Sequence, residues 1–175
     1  MPNWSSVLRE IALNQVTDNQ SPFDKIRRKY LRQLARHTDR NVIAYYSGFL
    51  SKPQIAGTEI NDEDKNGFML AIHNLDKSKG LDLLLHTPGG DGAATESLLD
   101  YLRSIFQLDI RAIVPQIAMS AGTMIACSCS EIIMGRESSA PTQTEGTGSR
   151  VSFARMSLAG LVQTKGFGSR LCSSR

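Results

Sequence analysis

The sequence predicts an α/β protein with a mostly parallel sheet. Three apolar runs have the length and composition of buried strands: "LDLLL" from Leu81, "IRAIVP" from Ile110 and "EIIMGR" from Glu131. Segments with helical spacing separate these runs, from about residue 93 to 106 and again from about Ser120. Continuous apolar strands that alternate with helices are typical of a parallel sheet that is covered on both faces.

The composition predicts a single soluble domain. A chain of 175 residues that is 41% hydrophobic is long enough to bury one core. Its 20 basic and 17 acidic residues leave a net charge of +3, which is too small to predict binding to nucleic acid. The N-terminus "MPNWSSVLRE" lacks the pattern of a signal peptide, and no run reaches the roughly 18 apolar residues of a membrane span. We therefore expect a cytoplasmic protein.

The three cysteines do not have the spacing of a disulfide framework or a zinc site. Cys127 and Cys129 lie two residues apart, where helical neighbours point in different directions, and Cys172 is far from both. No second cysteine pair or histidine cluster accompanies them. We interpret them as small buried hydrophobic residues, and we expect neither a metal nor a cofactor.

The first 40 residues are predicted to form an N-terminal helical segment. Ser21 and Pro22 are typical of a helix start, and apolar residues then recur at helical spacing to about Arg36. The helix is also basic, with Lys25, Arg27, Arg28, Lys29, Arg32 and Arg36 between the apolar positions. Two readings stay open for the surface near Arg27: a solvated face, or a contact with a membrane surface or an acidic partner.

Two further elements are predicted before the leucine run. "NVIAYYSGFL" from Asn41 is rich in β-branched and aromatic residues, which indicates a strand. Asn61 is followed by three acidic residues, which is typical of a helix N-terminus. The apolar stripe of that helix is Phe68, Ile72 and Leu75.

The end of the leucine run predicts a binding site. Pro88 removes a backbone donor and ends the strand, while Gly89 and Gly90 allow another backbone or a ligand to approach. Ligands of open α/β sheets bind outside the carboxyl ends of the strands. A phosphate cradle is disfavoured because the phosphate-loop motifs are absent from this stretch and Asp91 would repel an anion. An oxyanion hole is the other use of such backbone N–H groups.

A nucleophile follows the next strand. "AMSAG" places Ser120 between small residues at a predicted helix N-terminus, where unpaired N–H groups favour negative charge. The N–H of Ala121 and that of Gly90 are therefore predicted to form an oxyanion hole beside the Ser120 hydroxyl. The alternative is that Ser120 is only an N-cap.

Together, "HTPGGDG", "IVPQIAMSAGTMIACS" and "EIIMGRESS" resemble the serine dehydrogenase proteinase family. That family belongs with the signal peptide peptidases and is related to the Clp protease and crotonase fold. The resemblance covers roughly residues 21–139. It implies ββα units wound into a spiral, with residues 41–139 as an incomplete peptidase core.

The resemblance also implies a serine peptidase activity. Ser120 would attack the carbonyl of a peptide or protein substrate, and Gly90 and Ala121 would hold the oxyanion. Gly89 is counted with them as an oxyanion or substrate-binding residue. Relatives of this fold usually assemble into rings or other oligomers, so a homo-oligomer is expected.

The chain departs from the family pattern after Ser139. Leu-Gly-Pro-Ile-Asp-Pro is expected next, whereas this chain reads "APTQ" and becomes rich in Ser, Thr and Gly without a sustained period. Residues 140–175 are therefore predicted to be an irregular or disordered tail. We hypothesise a frameshifted or truncated C-terminus.

The general base is not evident. His37, His73 and His86 all precede Ser120, which excludes the Clp order in which the histidine follows the serine. His86, at the end of the leucine run, is a minor candidate. Signal peptide peptidases use a downstream lysine, and Lys165 is the one lysine that follows the serine. We expect weak or absent activity, because general acid–base help is worth about 10²- to 10⁴-fold.

Two other functions fit the same motifs. A crotonase-like protein would bind an acyl thioester in the oxyanion hole without using a serine nucleophile. A non-catalytic interaction module would use the basic helix near Arg27 as its contact surface.

Overall fold

The computed structural model describes residues 3–13, 21–135, 138–139 and 150–153. The helices are α1 (Trp4–Leu13), α2 (Pro22–Thr38), α3 (Asp62–Ile72), α4 (Gly92–Phe106) and α5 (Ala121–Cys127). The strands are β1 (Asn41–Tyr46), β2 (Leu81–His86), β3 (Ile110–Val114), β4 (Glu131–Met134) and β5 (Arg150–Phe153).

One five-stranded sheet organises the chain. The strands are all parallel and lie in sequence order, β1-β2-β3-β4-β5. The predicted α/β class with a parallel sheet is therefore confirmed. The predicted starts of α2 at Pro22 and of the strands at Asn41, Leu81, Ile110 and Glu131 agree with the observed elements.

The core lies on one face of the sheet. Alternate residues of β2, Leu81, Leu83 and Leu85, are fully buried and belong to a cluster that includes residues of α3, α4 and α5. Helices α3, α4 and α5 share this face, and α2 covers part of the second face, so the sheet carries helices on both faces as predicted, but in unequal number. Strands in sequence order that are joined by crossovers of one hand place every crossover helix on the same side.

Helix α2 lies on the second face, beside β1. A groove on that face is lined by Arg27 and Leu31 of α2 together with Ala44, Leu84 and His86 of the strands. Helix α1 lies within the predicted N-terminal helical segment, although its bounds were not predicted, and it packs against α2. None of the described helices is long and apolar enough to cross a membrane.

The segments that follow the strands also pair with one another, in the same order as the strands of the sheet. Isolated parallel bridges join Ile60 to Gly90, Thr87 to Ala118, and Ile117 to Ser139. Each of the segments that follow β1 to β4 therefore meets its neighbour again after leaving the main sheet. This repetition is the arrangement expected of ββα units.

Strand β5 differs from the prediction of an irregular tail. Residues 150–153 pair in parallel with β4, from Arg150 beside Glu131 to Phe153 beside Met134. A four-residue strand is too short to produce a sustained sequence period, so the sequence pattern did not indicate it. Its backbone pairs with the edge of β4. The other residues of the predicted tail, including Cys172 and Lys165, lie outside the described residues.

The two described cysteines agree with a structural role. Cys129 is buried, and burial raises the pKa of its thiol to about 12. Cys127 is half-buried at the end of α5, and burial raises the pKa of its thiol as well. Among the residues that the structure places, no group of three His, Cys, Asp or Glu side chains is arranged to hold a metal ion.

A buried carboxylate joins three neighbouring strands on the second face. Asp82 of β2 is fully buried and accepts a hydrogen bond of 2.7 Å from Arg40, just before β1. Arg111 of β3 donates two hydrogen bonds of 2.7 Å to the same carboxylate, which raises the pKa of its guanidinium. Charged pairs of this kind fix the strand register, because a shifted strand would leave a charge buried without a partner.

Asp82→Asn should destabilise the protein by about 3–5 kcal/mol, because it leaves two guanidinium groups without their buried counter-charge. The control is Asp109→Asn, since Asp109 pairs with Arg40 at 2.7 Å but is 56% exposed. Exposed pairs contribute about 0–1 kcal/mol. Urea unfolding followed by circular dichroism measures both, and equal losses would contradict this role for Asp82.

Candidate active site

The loops that follow β2 and β3 are held together by backbone hydrogen bonds. The N–H of Thr87 donates to the carbonyl of Ile117 at 3.1 Å, and the N–H of Met119 donates to the carbonyl of Thr87 at 3.1 Å. The Gly-Gly motif and the serine motif therefore lie side by side at the carboxyl edge of the sheet. This is the edge at which ligands of parallel sheets bind.

Gly89 makes the close contact with the serine. Its φ is +103°, and a Cβ added there would lie 2.6 Å from Ser120 Cβ and 2.7 Å from the Met119 carbonyl oxygen. Only a glycine fits at this position without moving the serine loop. The N–H of Gly89 is already used, because it donates to Thr87 Oγ1 at 3.1 Å.

Gly90 packs against a different segment. An added Cβ would lie 2.3 Å from both the nitrogen and the oxygen of Ile60. Hydrogen bonds from Ile60 N–H to the Gly89 carbonyl, 2.8 Å, and from Asp91 N–H to the Ile60 carbonyl, 2.9 Å, fix the loop on both sides of Gly90. The Asp91 carboxylate accepts from Ala94 N–H at 2.7 Å and so caps α4.

Ser120 has a strained backbone. Its φ of 52° and ψ of −121° are rare for a residue with a side chain, and it stands immediately before α5. Nucleophilic serines of other hydrolases sit on sharp, strained turns between a strand and a helix. Ser120 is exposed and occupies the N-cap position of α5, but its side chain makes no cap hydrogen bond.

The backbone N–H groups of Ala121 and Gly90 have no acceptor among the described residues. The N–H groups of Gly122 and Thr123 donate to the carbonyls of Met119 and Ser120, each at 2.8 Å. The N–H of Ala121, at the start of the helix, makes no such bond within the described part of the chain, and neither does that of Gly90. These are the two donors that the sequence assigned to an oxyanion hole.

Residues 11–142, about three quarters of the chain, match the family described as ClpP-like SDH-type serine proteinase. The chain belongs to this family. Its two predicted motifs, Thr-Pro-Gly-Gly and Ala-Met-Ser-Ala-Gly, both lie inside the matched range. The matched range begins before β1, so it also includes α2.

Two uncharacterized proteins of Methanocaldococcus jannaschii are similar to part of the chain. MJ0137 is 40% identical over 75 residues, which are 43% of this chain and 26% of that protein. MJ1495 is 35% identical over 77 residues, which are 44% of this chain and 26% of that protein. The match therefore spans about a quarter of the length of each relative.

Thr87 is a site residue of this ClpP-like chain that sequence reasoning missed. It is fully buried, and its methyl group fills the space over Gly122, where an added Cβ would lie 2.5 Å from Thr87 Cγ2. Its hydroxyl accepts the Gly89 N–H. Thr87 therefore fixes both the glycine loop and the first turn of α5. The feature of the sequence that could have indicated this contact is Gly122, two residues after Ser120.

His86 is not brought to the serine as a base. Its ring stacks on Tyr46, with centroids 5.0 Å apart, and tilts against Phe49 at 5.3 Å. It makes no hydrogen bond to Ser120, and burial lowers the pKa of its imidazole. The other base candidate, Lys165, lies outside the described residues.

The buried imidazole makes stability depend on pH. Because the pKa of His86 is lower in the folded state than in the unfolded chain, the unfolded chain binds more protons between the two values. The contribution of the neutral His86 imidazole to the free energy of unfolding is complete above about pH 6.5, the pKa of histidine in the unfolded chain. It is lost as the pH falls through the lower pKa of His86 in the folded state. His86→Phe should therefore lose less unfolding free energy than the wild type between about pH 8 and pH 5.

Urea unfolding at several pH values measures the difference between the two proteins. His73→Gln is the control, because it removes an exposed imidazole and leaves His86 in place. A pH dependence of His86→Phe that equals that of the wild type would contradict the assignment.

Proposed function

We propose that the protein is a serine peptidase in which Ser120 is the nucleophile. The observation that carries the proposal is the strained backbone of Ser120, which presents an exposed hydroxyl against the backbone of Gly89. Strain of about 1–3 kcal/mol persists where the surrounding structure enforces it, and such sites are often functional. Here the enforcing contacts are the hydrogen bonds between the two loops.

In the proposed reaction, Ser120 Oγ attacks the carbonyl carbon of a peptide bond. The carbonyl oxygen becomes negative and accepts hydrogen bonds from the N–H groups of Gly90 and Ala121. Collapse of this intermediate expels the amine and leaves an acyl ester on Ser120, which water then hydrolyses. Both proposed donors are backbone groups, so the oxyanion hole depends on loop conformation and not on particular side chains.

The proton of Ser120 needs an acceptor. Among the described residues no base contacts Ser120, and Lys165 remains the base that the resemblance to signal peptide peptidases implies. Turnover without a well-placed base would be slower by about 10²- to 10⁴-fold. Low activity of this chain is therefore part of the proposal, as is assembly into a homo-oligomer.

A fluorophosphonate probe tests the nucleophile. It should label the wild type, and Ser120→Ala should abolish the labelling. Ser104→Ala is the matched control: Ser104 is an exposed serine of α4 whose hydroxyl donates to the Tyr101 carbonyl at 2.7 Å, and its loss should change nothing. Intact-protein mass spectrometry measures the adduct.

The same experiment distinguishes the other function class. Labelling that persists in Ser120→Ala would exclude Ser120 as the nucleophile. If the wild type is not labelled but binds a coenzyme A thioester, the protein is an acyl-thioester binding protein and the peptidase proposal is wrong.

Gly90→Ala tests the oxyanion hole. An added Cβ would meet the Ile60 backbone and displace the Gly90 N–H, so the labelling rate should fall by about 10²- to 10³-fold. Gly92→Ala is the control two residues away, because an added Cβ there meets nothing within 4 Å. Labelling rates are compared for proteins with wild-type circular dichroism spectra, and equal rates would exclude Gly90 from the site.

A further inference from the structure

Positive charge is concentrated on helix α2. The helix carries six basic side chains and one acidic side chain, a net charge of +5, whereas the whole chain carries +3. The rest of the chain therefore has a net charge of −2. A basic helix on an otherwise slightly acidic protein gives one face a preference for anionic partners.

The outward face of α2 carries arginines that are not paired within the described structure. Arg28, Arg32 and Arg36 recur every four residues, so they form one stripe along the helix, and all three are exposed. No ion pair involves them among the described residues. We call these three residues the arginine stripe. By contrast, Arg27 pairs with Asp24 and Lys29 pairs with Glu10.

Exposed apolar side chains lie on α1 and in the first turn of α2. Helix α1 is attached to α2 through Glu10, which accepts from Lys29 and, at 3.4 Å, from the Tyr30 hydroxyl. Trp4 and Leu8, one turn apart on α1, are 60% and 46% exposed. Phe23, in the first turn of α2, is 60% exposed. Arginine with tryptophan, leucine and phenylalanine is the combination found on helices that lie in a membrane interface.

A cleft beside α2 favours lipid over a purely polar anion. It has a volume of about 560 Å³ and lies between α2, β1 and α3. Leu31, Val42 and Ala44 supply apolar lining. Arg27 and Arg28 supply positive charge, and Asp24, which also lines the cleft, pairs with Arg27 and leaves Arg28 as the unbalanced charge. Apolar surface next to a guanidinium suits an amphiphile with an anionic headgroup, whereas a nucleic acid would gain nothing from the apolar lining.

We propose that α1 and α2 dock the protein on the surface of an anionic phospholipid bilayer. The arginine stripe binds the lipid phosphates, and Trp4 and Leu8 enter the boundary between headgroups and acyl chains. This docking is independent of the chemistry at Ser120, so Ser120→Ala binds vesicles as the wild type does.

Trp4 is the single tryptophan of the chain, so its fluorescence reports the docking directly. Vesicles of phosphatidylglycerol and phosphatidylcholine in equal parts should shift its emission to shorter wavelength and shield it from acrylamide. Vesicles of phosphatidylcholine alone should do neither. Added salt should weaken the binding, because exposed charges are screened within about 10 Å at 0.1 M salt.

Arg28→Gln with Arg32→Gln should weaken vesicle binding by roughly 20- to 30-fold, since each basic residue near an anionic surface contributes roughly fivefold. The control is Lys52→Gln with Lys77→Gln, which removes the same charge from exposed lysines outside α2. Circular dichroism verifies that both double variants are folded.

Three outcomes would overturn the proposal. The first is no binding of the wild type to the mixed vesicles. The second is equal weakening in the two double variants. The third is that the wild type binds the vesicles without a shift of the Trp4 emission, and that soluble heparin abolishes this binding. That result would assign the arginine stripe to a soluble polyanion.

Discussion

The contact between the glycine loop and the serine loop constrains the rest of this structure. Gly89 lies so close to Ser120 that no side chain fits between them, and Thr87 holds both loops by backbone bonds and by its buried methyl group. A left-handed glycine on one loop and a strained serine on the other are the two consequences. The exposed Ser120 side chain follows from the same geometry, and within the described part of the chain the N–H groups of Gly90 and Ala121 have no acceptor.

This contact is possible because β2 and β3 are adjacent and parallel. Their carboxyl ends lie at one edge of the sheet, and the register Leu81 to Ile110 brings the following loops to the same height. The isolated parallel bridge between Thr87 and Ala118 then joins the two loops beyond the ends of the strands. The fold of a ClpP-like SDH-type proteinase therefore places both motifs together through backbone hydrogen bonds and the packing of the Thr87 methyl group over Gly122.

The two faces of the sheet have different roles. One face buries the apolar core beneath α3, α4 and α5, while the other carries the Asp82 ion pairs, the stacked His86 and helix α2. His86 is one residue from Thr87 in sequence, yet strand alternation turns successive side chains to opposite faces. That alternation explains why the His86 ring packs against Tyr46 and Phe49 although His86 directly precedes the glycine loop.

Local patterns in the sequence determined the class of the fold, the strand positions and the two motifs at the strand ends, because periodicity and residue chemistry act over a few neighbours. The family and the choice of Ser120 followed from the same motifs. Only the tertiary structure decided that three helices share one face and that Gly89 and not Gly90 meets Ser120. It also decided that the arginine stripe is exposed, with no ion pair to the other described residues. These features depend on strand order, register and helix packing between residues far apart in sequence, and no local pattern records them.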